Sequence, residues 1–177
     1  MKDKAVTARQ LVLISLLVTM ASILHIIEGL LPAIPIPGAR LGLANIITLT
    51  TIVSIGYGEG LAVTIGRSVL GSLFGPGIIS IGFAMSLVGG LLSWAIMSFA
   101  HKFCKIFFSI ISISLMGSIS HNFAQLVVAS FLVEEIAIFK LFPMLMIFAV
   151  PTGIMVGLVS RYLIQALGKI PHFNSRS

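Results

Sequence analysis

Between Gly38 and Ala100 the chain passes through more than sixty residues with only three charged side chains, Arg40, Glu59 and Arg67. An ionised group at the centre of a bilayer costs roughly 2.5–3.5 kcal/mol even on the mildest scale. Water imposes no such selection. Over the whole chain 9% of residues are charged and 58% are hydrophobic, against about 25% charged in ordinary soluble domains. These proportions leave too few polar side chains to cover a water-facing surface. The expectation is an all-α, polytopic membrane protein lying in the cell membrane, with the bilayer as its immediate surroundings. At 177 residues one bundle is expected, a single integral membrane domain over 1–177.

Breaks in the apolar runs predict six helices, at about 8–30, 43–57, 61–74, 78–100, 107–133 and 141–167. Three alternating prolines, Pro32, Pro35 and Pro37, forbid helix between the first two and predict an extended outer loop over 31–42. The Gly56-Tyr57-Gly58-Glu59-Gly60 run reads as a turn, and Pro151 as a candidate kink. The first apolar run is long for a signal peptide and is followed by no small-residue cleavage site, so it reads as the first span. Helices two and three are short for a straight crossing of about 20 residues. Such segments either line a site or mark local thinning of the bilayer.

With six spans, Lys2, Lys4, Arg9, Lys102, Lys105, Arg161, Lys169 and Arg176 fall on one side, and Arg40 and Lys140 on the other. This asymmetry places both termini, and the tail 168–177, in the cytoplasm. The net charge of +6 follows the ends of apolar runs, so no nucleic-acid partner is expected. The single cysteine, Cys104, excludes an internal disulfide and a multi-cysteine metal site. Asp3 is the only aspartate and only Glu134-Glu135 brings two acids together. Magnesium-dependent chemistry on a diphosphate needs clustered carboxylates, and no phosphate-binding nucleotide loop is present. No enzyme activity, metal or cofactor is expected.

The polar residues inside apolar runs are the candidates for function. His121, Asn122 and Gln125 lie together on helix five, and the four-residue spacing of His121 and Gln125 puts them on one face. They serve either a ligand or interhelical packing. Arg67, within helix three, needs an anion or water. It either meets a substrate carboxylate or phosphate, or pairs with Glu28 or Glu59, or snorkels to the boundary. Arg40 and Asn45 flank the Pro-rich loop, and His25 and Glu28, one turn apart, face the same outer end. The predicted substrate-binding set is Arg40, Asn45, Arg67, His121, Asn122, Gln125 and Glu28. Gly153 and Gly157 form a close-approach pattern on helix six, and Ser15 and Thr19 give helix one a small-residue stripe.

Three stretches carry a family resemblance: Pro37-Gly38-Ala39-Arg40-Leu41-Gly42-Leu43-Ala44-Asn45; Gly66-Arg67 through Gly71-Ser72-Leu73-Phe74-Gly75; and Ser120-His121-Asn122 with Gln125. Over about residues 8–165 the chain resembles the six-helix Gx transporter family, also called heptaprenyl diphosphate synthase component I. That family is related to the substrate-binding S-components of energy-coupling factor transporters. The resemblance implies a membrane-embedded binder for uptake of a small vitamin-like or prenyl- or quinone-related precursor. Its partners would be a transmembrane coupling subunit and an ATPase pair, docked through Ser15 and Thr19. S-components dock through an AxxxA spacing, which helix one lacks. The family's other name implies a non-catalytic membrane subunit in heptaprenyl diphosphate or menaquinone side-chain synthesis. Prenyl synthases use aspartate-rich magnesium motifs, and this chain has none.

Overall fold

The computed structural model describes residues 8–30, 40–75 and 77–169, all but the side chain of Arg9. The loop expected over 31–42 therefore lies largely outside the described residues, as does the tail beyond 169. The described chain forms six α-helices: α1 (Ala8–Gly29), α2 (Asn45–Ser54), α3 (Tyr57–Leu73), α4 (Ile81–Cys104), α5 (Ile110–Val133) and α6 (Phe142–Gly168). A 3-10 turn over Ile136–Leu141 leads into α6. No strand occurs among the described residues. Gln10–Gly29, α4, α5 and Ile136–Gly168 are each long and apolar enough to cross a membrane. The fold is a helical membrane bundle.

Punctuation sets most helix ends. The Ser80 side chain accepts from the Phe83 amide to cap α4, and Ser109 accepts from Ser112 to cap α5, each satisfying one of the amides a helix start leaves free. Glu134 closes α5 in the left-handed conformation. α6 continues through Pro151. The expectation for α3 needs correction. The glycine-rich run is not a turn: α3 begins at Tyr57, and Gly58, Glu59 and Gly60 form its first turn. Glu59 there sits where the helix dipole favours an acid. Gly60 is small because a Cβ would lie 2.7 Å from Ile52 Cγ1 and 3.4 Å from the Trp94 indole nitrogen. Its role is close packing against α2 and α4.

Short α2 is the hub. It touches all five other helices, and Asn45 through Ile52 are all buried. A helix apolar all round belongs in a core. At 1.5 Å per residue its ten residues span about 15 Å, half a bilayer. Two of its threonines are bonded: Thr51 Oγ1 donates to Ile47 O at 2.7 Å, and Thr48 and Thr64 hydroxyls meet at 3.4 Å between α2 and α3. Ile46 and Ile47 pack with Ala21, Val63 and Val156, joining α1, α2, α3 and α6. Leu49 and Ile52 pack with Met97, Ala100 and Ile113 of α4 and α5.

α5 lies between α4 and α6. The expected close approach at Gly153 and Gly157 is present. Ser114 Oγ donates to Gly153 O at 2.8 Å, and a Cβ on Gly157 would stand 2.7 Å from the Ile111 Cα. Backbone cannot yield as a side-chain tip can. Gly157→Ala is therefore expected to destabilise the protein by about 1–3 kcal/mol. Gly58→Ala, with nothing within 4 Å of its new Cβ, is the control. Thermal unfolding of both variants in one detergent checks this, and equal midpoints would refute the α5–α6 contact.

Candidate functional site

Five elements deliver polar side chains to one buried place. α1 buries Ala21, Ser22, His25 and Glu28 along one stripe, the three-and-four spacing of a helix face. The opposite face leaves Leu16, Met20, Ile23 and Ile27 exposed, as a lipid-facing surface requires. Glu28 reaches past the end of α1: its Oε1 accepts from the Gly42 amide and from the Leu43 amide, the latter at 3.2 Å. Gly42 has φ +88°, a conformation glycine adopts at no steric cost. A Cβ there would also meet Asn45 Nδ2 at 2.9 Å.

Arg40 ties the same strap to two helices. Its amide donates to Gln125 Oε1 at 3.1 Å, and its Nη1 donates to the His25 carbonyl. Gln125 Nε2 lies 2.8 Å from His121 Nε2, so the four-residue spacing read on α5 does bring these two together. His121 packs on Gly89 of α4, where a Cβ would fall 3.0 Å from the ring. The His25 ring packs on Gly71 of α3, where a Cβ would overlap it. Ser86 of α4 approaches the same ring at 3.4 Å.

Arg67 is the largest side chain in the fully buried set. At 1% exposure it does not snorkel. Its Nη2 donates to Asn45 Oδ1 at 2.8 Å and lies against Gly90 of α4, where a Cβ would stand 3.1 Å from it. Neither acid considered for it is its partner. Glu28 is engaged with backbone amides, and Glu59 sits at the other end of α3. No ion pair joins any guanidinium to a carboxylate among the described residues. Arg67 Nε, Arg40 Nε and Asn45 Nδ2 are buried with no hydrogen-bond partner. Two cations are thus held out of water, with donors unspent, where buried charges ordinarily require partners.

The predicted residues separate into groups. Glu28, Arg40, Asn45, Arg67, His121 and Gln125 fall in one connected cluster. Asn122, one residue and about 100° around α5 from His121, turns away and donates to Leu145 O of α6 at 3.2 Å. Its contact is interhelical. Asn122→Leu is expected to lower stability by about 0.6 kcal/mol, the usual worth of such a bond in a membrane, and to leave ligand affinity within twofold. Titration of both proteins with one ligand checks this. Ser15 and Thr19 lie exposed on the outer face of α1, their hydroxyls donating to Leu11 O and Ser15 O at 2.8 Å. Sequence reading passed over Gly42, Gly71 and Gly89 as site residues. Only Gly42 had a local signal, a glycine between Arg40 and Asn45 in a loop.

The cluster has a definite level in the bundle. Tyr57 opens α3, and its hydroxyl meets His101 Nδ1 at 3.1 Å near the end of α4, while Trp94 Nε1 donates to Tyr57 O at 2.9 Å. These aromatic residues sit beside Lys102 and Lys105, as at a membrane–water boundary. Arg67 is ten residues along α3, about 15 Å away, towards the end at which residue 40 enters.

The description heptaprenyl diphosphate synthase component I matches residues 17–163. The chain belongs to this family. No curated protein and no solved structure matches it.

Proposed function

We propose that this chain is a non-catalytic membrane component serving prenyl diphosphate synthesis, and that its buried cluster holds a small anionic molecule. The observation that carries the binding role is the pair of guanidiniums, Arg40 and Arg67, buried without a carboxylate partner among the described residues. A small anion supplies the missing charge and accepts from the unspent donors. Glu28, Gln125 and His121 position Arg40 and its strap; Asn45 positions Arg67. The family match supports the synthesis role and a catalytic partner subunit. A sequence with Asp3 as its sole aspartate supports placing catalysis on that partner. The cell membrane is the proposed location, with both termini cytoplasmic. Co-expression with a soluble prenyl diphosphate synthase, followed by mild-detergent purification, tests this. Retention of the synthase and a change in its product length or rate are expected. A synthase neither retained nor altered would refute the role.

One observation favours a second reading, uptake by an S-component-like mechanism. The cluster lies towards the end of the bundle away from Lys102 and Lys105, the side that charge asymmetry assigns to the exterior. In that reading an external precursor enters beside residue 40, and a coupling subunit with two ATPases drives its release. The exposed face of α1 with Ser15 and Thr19 is then the docking face. Vesicle uptake that requires the ATPase pair and ATP distinguishes it from the synthase role.

A further inference from the structure

We infer that the Arg67–Asn45 site takes a single carboxylate and discriminates against a diphosphate. This rests on the reading that the cluster holds a small anion, and names its class. Arg40, Arg67 and Glu28 are the only charged residues buried among the described residues, which leaves one positive charge in excess. One carboxylate neutralises it. A diphosphate carries more negative charge than that, and the surplus would lie uncompensated in a low-dielectric bundle. Diphosphates are ordinarily accompanied by a divalent cation held by clustered carboxylates. Among the described residues no group of three His, Cys, Asp or Glu is placed to hold one.

The donors fit the same answer. One N–H of Arg67 Nη2 is spent on Asn45 Oδ1 at 2.8 Å. Arg67 Nε and Asn45 Nδ2, on the two groups joined by that bond, are buried and unspent. The planar guanidinium, with N–H groups still free, suits the two oxygens of a carboxylate.

Asn45→Asp provides an internal test, since it sets a carboxylate oxygen where Oδ1 now receives Arg67. The bundle would then carry its own neutralising anion. The purified full chain in nanodiscs of zwitterionic lipid is titrated with 2-naphthoate, with neutral 2-naphthalenemethanol, and with farnesyl diphosphate with and without magnesium. Thermal midpoints are read throughout. Wild type is expected to be stabilised by 2-naphthoate and by neither of the others. In Asn45→Asp the ligand-free midpoint should rise and the affinity for 2-naphthoate should fall by about 100-fold. Arg67→Gln should lose the same affinity and serves if the aspartate variant does not fold. Equal stabilisation by the alcohol, or no response of wild type to 2-naphthoate, overturns the inference. A response to farnesyl diphosphate alone overturns it while leaving the anion reading intact. Silence towards every anion, with no rise in the Asn45→Asp midpoint, removes both.

Discussion

Arg67→Gln is expected to weaken binding of the anionic ligand by about 30-fold or more while lowering the ligand-free thermal midpoint little or raising it. The two halves have one cause. Truncating a buried charge that meets an oppositely charged ligand costs about 2–5 kcal/mol of binding, and 1.4 kcal/mol is tenfold. In the ligand-free protein the same guanidinium is a cation with no carboxylate partner among the described residues and an unspent Nε. Its removal takes away a desolvation cost. Arg67→Lys should not restore affinity, since an ammonium lacks the planar fork. Parallel titration and thermal unfolding of the three proteins check this. A variant that loses stability but keeps affinity would make Arg67 a structural residue.

Glu28→Ala is expected to act in the opposite sense, lowering stability by about 3–5 kcal/mol, as when one member of a buried charged set is removed. Its carboxylate is the sole buried acid among the described residues and the acceptor for two amides, those of Gly42 and Leu43. Without it both amides lose their acceptor, and the buried excess of positive charge grows. Glu28→Gln retains one acceptor oxygen and should fall between the two. Hydrogen exchange gives the local readout: the Gly42 and Leu43 amides should exchange faster in Glu28→Ala than in wild type, while amides of α5 between residues 114 and 121 change less. Uniform acceleration over the bundle, or none at residues 42 and 43, would contradict the anchoring role.

What the sequence disclosed follows from the range of each interaction. α4, α5 and α6 were legible because a bilayer demands long uninterrupted apolar runs, and the structure starts them near their serine caps or at the turn preceding Pro143. The pairing of His121 with Gln125 was legible because it is a property of one helix. The true length of α2 was not, since a helix buried on every side has no amphipathic period to mark its ends. The start of α3 was misread because glycine signals a turn and a close packing contact alike, and only the neighbours Ile52 and Trp94 decide between them. Asn122 shared a sequence cluster with His121, yet one residue on a helix is enough to send it to α6. The engagement of Glu28 with Gly42 and Leu43 left no trace in residue type, because the groups it binds are backbone amides.

The central claim is that a bundle surrounded by lipid keeps two cations buried in order to hold an anion. Mass spectrometry of small molecules released on denaturing gently purified wild type and Arg67→Gln tests it most directly. The account predicts one acidic compound near stoichiometric amount in wild type and absent from the variant. Identical small-molecule profiles from the two proteins would contradict it.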